Sequence, residues 1–116
     1  MSARLFGVLN LAVAAFFALF AIVQYNDPDP MLWMIIYALA ALACVLHHLK
    51  RLPPEAAAGY GGMVLLLGLY LAYRVISQRQ FFFDEEGREM MGALLVTIWM
   101  AVLYVRAKKQ GLAEPA

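Results

Sequence analysis

Four long apolar runs separated by short polar stretches set the pattern of this chain. Each run holds about 16–19 nearly uncharged residues, close to the length a helix needs to cross the hydrocarbon core of a bilayer. The predicted fold is all-α: a polytopic integral membrane protein built as a four-helix transmembrane bundle. Its helices are expected at about 4–24, 31–49, 56–77 and 88–106 within a single domain, 1–116. Ala12-Val13-Ala14 has the small-residue character of a signal-peptide cleavage site, but the apolar run continues through Phe16, Phe17, Phe20 and Ile22. That continuity favours a retained span.

The breaks between runs have local causes. Gln24-Tyr25-Asn26-Asp27-Pro28-Asp29-Pro30 holds two prolines that push Asp27 and Asp29 out of helical conformation. Asp29 suits an N-cap, with Pro30 at the first helical position, where its missing N–H is no loss. Lys50 and Arg51 precede a second breaker, Pro53-Pro54. Arg79, the interfacial triplet Phe81, Phe82 and Phe83, and Asp84-Glu85-Glu86-Gly87-Arg88-Glu89 lead into the last helix.

Inside the runs, spacing separates packed faces from lipid-facing ones. Trp33, Tyr37, Ala40, Cys44 and His47 recur at intervals of three and four, the stripe of a packing seam. Trp33 also suits an interfacial aromatic belt. Asn10 carries an amide into hydrocarbon and needs a partner, which points it toward a neighbouring helix. Gly61, Gly62, Gly68 and Ala72 allow close helix approach in the third run.

Composition sharpens the class. Hydrophobic residues make up 65% of the 116 residues, against roughly 45–50% in soluble domains. A soluble chain of this length has too little interior to hide them. The formal net charge of +1 excludes no partner class, but the basic residues cluster at run ends without a nucleic-acid module, so no nucleic-acid partner is expected. The placement of charge gives an orientation. Arg4, Lys50, Arg51, Arg106, Lys108 and Lys109 fall at one set of run ends; Asp27, Asp29, Asp84, Glu85, Glu86 and Glu89 fall at the other. The positive-inside rule then puts both termini in the cytoplasm and both acidic stretches outside.

Several chemistries lack their residues. Cys44 is the single cysteine, so no internal disulfide forms. Cys44, His47 and His48 on one helix make a poor zinc site and read as a buried thiol with two interfacial imidazoles. Ser2 and Ser77 have no base in view for a serine triad. What remains is carboxylate chemistry at the outer face. Glu89 precedes Gly92 and Ala93 on a packing face, with Glu86 one turn before it. A carboxylate there needs a partner: Arg74, Tyr37, Asn26 or a bound cation. Asn26, Asp27, Glu86 and Glu89, with Arg74 and Tyr37, form the candidate site, either as an oxygen-rich place for a divalent cation or ligand or as a closed hydrogen-bond network. No resident cofactor is predicted.

Gln24-Tyr25-Asn26-Asp27-Pro28-Asp29-Pro30 with Trp33 and Tyr37, followed by Glu86, Arg88, Glu89 and Gly92, resembles the small transmembrane protein 220 family. The resemblance implies a four-helix membrane protein and no particular activity. The reading that emerges is a non-enzymatic binding or accessory component with an acidic extracytoplasmic face. Its expected partners are the lipid bilayer and a membrane protein or a second copy. The alternative is a carboxylate-based membrane enzyme or a transporter of a cation or small solute. The compact chain suggests a bacterial inner membrane.

Overall fold

The computed structural model describes residues 2–26, 30–78 and 85–113, without the side chains of Asn26, Glu85, Glu86 and residues 110–113. The Asp27–Asp29 turn with its N-cap, Arg79, the Phe81, Phe82 and Phe83 anchor, and Asp84 lie outside the described residues. Among the described residues every regular element is helical: α1 (Ala3–Val23), a 3-10 turn (Gln24–Asn26), α2 (Pro30–His48), α3 (Pro54–Ser77) and α4 (Glu85–Ala113). Among the described residues, four helices are long and apolar enough to cross a membrane, the fourth over Gly87–Lys109. At 1.5 Å per residue they reach about 28–36 Å, enough for a hydrocarbon core of about 30 Å.

The helix ends follow from their residues. Ser2 is extended and its hydroxyl accepts from the Leu5 N–H at 3.1 Å, capping α1. Both α2 and α3 begin on a proline, Pro30 and Pro54; the predicted start of α3 at 56 moves back because proline is at home in a first turn. α2 closes without glycine. The Arg51 N–H donates to the Leu46 carbonyl at 2.8 Å, and the Lys50 N–H to that of His47 at 2.9 Å. Lys50 itself is left-handed, with φ 59°. This is a Schellman closure in which lysine takes the place usually given to glycine. α4 runs past 106 to Ala113, because Arg106, Lys108 and Lys109 are themselves good helix formers and no proline follows before Pro115.

The chain forms two compact units, Met1–Pro53 and Pro54–Ala116. The first is the antiparallel pair α1 and α2. α1 buries Phe6, Asn10, Ala14, Phe17 and Ala21, and the α2 stripe Trp33, Tyr37, Ala40, Cys44 and His47 is buried throughout. Three contacts fix the register. Phe6 meets His47 edge-on at 5.7 Å, Asn10 donates to the Cys44 carbonyl at 2.8 Å, and Phe17 stacks on Tyr37 at 6.4 Å. Trp33 is only 2% exposed and packs against Tyr37, so it serves the seam rather than the interfacial belt. His47 corrects a second expectation. It lies on the stripe and is buried, whereas His48 is exposed as expected of an interfacial imidazole.

The second unit pairs α3 with α4. α3 buries Ala57, Gly61, Val64, Gly68, Leu71 and Val75, alternating steps of four and three. α4 answers with Ala93, Val96, Met100 and Leu103. Gly61 faces the root of the Met100 side chain, and Gly68 faces Ala93 and Leu94. Small residues bring the backbones together, the principal means of packing helices where lipid supplies no hydrophobic drive. Of the two adjacent glycines, only Gly61 does this; an added methyl at Gly62 would meet nothing within 4 Å. The Thr97 hydroxyl returns to the Ala93 carbonyl at 2.8 Å, which satisfies it within its own helix. Large apolar side chains such as Val8, Phe16, Ile35, Leu66, Ile76 and Ile98 remain exposed. In a membrane protein such faces meet lipid or another helix.

Candidate functional site

The six candidate residues divide between the two units. In the first, Asn26 closes the 3-10 turn, with its side chain outside the described residues, and Asp27 lies outside them altogether. Tyr37 sits about 10 Å along α2 from its start at Pro30. It is buried in an aromatic cluster, with Phe20 at 5.5 Å, Trp33 at 6.0 Å and Phe17 at 6.4 Å between ring centroids. Tyr37 thus holds α1 to α2 with its ring.

In the second unit, the antiparallel register brings the end of α3 beside the start of α4. Gly61 opposite Met100 and Gly68 opposite Ala93 extrapolate to put Ala72 across from Glu89 and Val75 across from Glu86. Arg74 therefore lies at the same end of this hairpin as both glutamates. Its guanidinium donates to the Tyr70 hydroxyl at 3.3 Å and lies 5.9 Å from that ring's centre. Its backbone carbonyl accepts from the Ser77 hydroxyl at 3.4 Å. Tyr70 and Tyr73 are exposed, so this end of α3 presents a cation among phenols, as suits an interface between lipid and water.

Glu89 stands one turn inside α4, in line with Ala93, Val96, Met100 and Leu103 on the buried seam. It is half-buried, and its Oε1 is shielded from solvent. Gly92 and Ala93 below it are both buried, as the small-residue face anticipated. A carboxylate continuing a packed seam is costly unless charge or hydrogen bonds compensate it. Glu86 belongs to α4 by its backbone, with its side chain outside the description. Among the described residues no group of three or more His, Cys, Asp or Glu is placed to hold a metal ion. Sequence reasoning passed over the partner that Asn10 finds, a backbone carbonyl, because no side-chain pattern marks it.

Among the described residues, four helices long and apolar enough to span a membrane and a half-buried carboxylate at one hairpin end define a small multi-pass integral membrane protein. The family described as "Transmembrane family 220, helix" matches residues 16–105, a stretch that includes both acidic segments, and the chain belongs to that family. It is similar to Transmembrane protein 220 of Xenopus laevis, with 30% identity over 108 residues, covering 84% of this chain and 57% of the frog protein. The chain thus spans a little over half the length of that relative. No solved structure matches.

Proposed function

We propose that this protein is a non-enzymatic component of its membrane whose acidic extracytoplasmic face binds a partner. The observation that carries this reading is Glu89: a carboxylate on the buried seam, one oxygen shielded, beside the end of α3 that carries Arg74. An internal network alone has no need of the further acids Asp27, Asp84, Glu85 and Glu86 at the same set of run ends. Those that precede and open α4, Asp84, Glu85 and Glu86 together with Glu89, suit a basic protein segment, a lipid headgroup or a divalent cation, whose hard charge prefers oxygen ligands.

The orientation follows from the basic residues at the opposite run ends, and puts both termini in the cytoplasm. A thiol introduced as Gln78→Cys is expected to react with an impermeant maleimide from outside intact cells. One introduced as Lys50→Cys is expected to react only after permeabilisation. Cys44 is fully buried and gives a low background. The reverse labelling pattern would invert the topology and move the acidic face to the cytoplasm. As to the host membrane, compactness suggests a bacterial inner membrane, whereas the frog relative brings no support to that choice; the reading proposed here needs only a multi-pass membrane location.

Native mass spectrometry of the gently extracted protein tests the binding role. The wild type is expected to retain a protein, lipid or cation that Glu89→Gln releases, while the helix content of the variant by circular dichroism is unchanged. A retained small solute would instead favour the transporter or enzyme class. A bare wild-type chain, or a bound species indifferent to Glu89→Gln, would make the acidic face a structural clasp.

A further inference from the structure

The opposite end of α4 carries a different feature. Ile98, Ala101, Val102, Val105, Arg106 and Lys109 line a shallow, wide-open groove of about 410 Å³ along one face of the helix. Its upper part is apolar and open: Ile98 is 59% and Val105 48% exposed. Its lower end is cationic. Lys108 is turned elsewhere, 5.9 Å from the ring centre of Tyr104, while Arg106 and Lys109 line the groove itself.

We infer that this groove holds one anionic glycerophospholipid, with an acyl chain along Ile98, Ala101, Val102 and Val105 and its phosphate at Arg106 and Lys109. Length and charge select this occupant. From Ile98 to the two basic residues the helix rises about 12–17 Å, close to the hydrocarbon depth of one leaflet of a core about 30 Å thick. The cations therefore stand at headgroup level when the apolar part lies among the acyl chains. A partner helix would cover the apolar part and leave Arg106 and Lys109 to water, whereas an anionic lipid covers the apolar part and brings its phosphate to their level. The assignment does not depend on which leaflet the C-terminal end of α4 enters, nor on the acidic face at the other end.

The test uses the full chain in nanodiscs of equal parts phosphatidylcholine and phosphatidylglycerol, with the lipids that stay bound on release counted by native mass spectrometry. The wild type is expected to retain phosphatidylglycerol preferentially. Arg106→Gln with Lys109→Gln is expected to lower that preference by about fivefold per basic residue removed. Ile98→Trp, which fills the groove and keeps both charges, is expected to lower retention as well. Arg4→Gln with Lys50→Gln removes as much charge elsewhere and is expected to leave the preference intact. An equal loss in this control would reduce the effect to diffuse attraction and overturn the site. So would full retention in Ile98→Trp, absence of any preference in the wild type, or a second copy of the chain bound in place of lipid.

Discussion

Gly61→Ala is expected to destabilise the α3/α4 hairpin by about 1–3 kcal/mol, the usual cost of overpacking a well-filled contact. The added methyl would lie 2.8 Å from the Met100 Cβ, closer than two carbons approach without displacement. Met100 cannot swing away, because Cβ is fixed to its backbone. The helices must therefore separate or slide. Two controls make the prediction specific. Gly59→Ala and Gly62→Ala meet nothing within 4 Å, so they should be neutral or stabilising by the roughly 0.5–1 kcal/mol that separates alanine from glycine in a helix. In a Met100→Ala background, which keeps the offending Cβ, Gly61→Ala should cost as much as in the wild type, whereas in a Met100→Gly background its added cost should shrink, although Met100→Gly itself empties a buried position. Unfolding in detergent, followed through Trp99 in a Trp33→Phe background, reads this hairpin alone. Equal effects of Gly61→Ala and Gly62→Ala would mean that the helices meet in another register.

Asn10→Asp should cost more, about 3–5 kcal/mol, the range for a buried charge deprived of its compensation. Asn10 is fully buried, and its amide nitrogen donates to the Cys44 carbonyl at 2.8 Å. Aspartate preserves the shape but must either hold an uncompensated charge against that carbonyl or take up a proton in order to donate to it, and both cost stability at neutral pH. Asn10→Leu removes the amide without adding charge, and its cost should fall to about 0.6–2 kcal/mol, the range for an interhelical hydrogen bond in lipid. Trp33 fluorescence in a Trp99→Phe background reports this unit. If the Leu variant proves as stable as the wild type, the amide contributes no hydrogen bond to α2.

The candidate site was legible only in part. Glu89 could be singled out because Gly92 and Ala93 follow it at three and four, and its half-burial agrees with that pattern. Tyr37 read equally well as a seam residue or a ligand; its ring contacts with Phe17, Phe20 and Trp33 account for its burial. Arg74 was open between lipid headgroups and acidic partners, and its contact with Tyr70 lies one turn away on its own helix. No periodicity reveals such a contact, since it depends on the rotamers of two long side chains.

The number of spans, their approximate limits and the helical class follow from sequence alone. A bilayer interior leaves backbone groups no water, so an apolar run of sufficient length must satisfy them within a helix. The α2 seam was also readable, because Trp33, Tyr37, Cys44 and His47 differ from the aliphatic residues around them. Only the tertiary structure decided that Gly61 rather than Gly62 meets Met100, that Cys44 offers its carbonyl to Asn10, that His47 lies under Phe6, and that Lys50 closes α2 in a left-handed conformation. The reason is common to the first three. In lipid every apolar face is equally well solvated, so hydrophobicity does not choose between them and the choice falls to shape and hydrogen bonding between particular atoms.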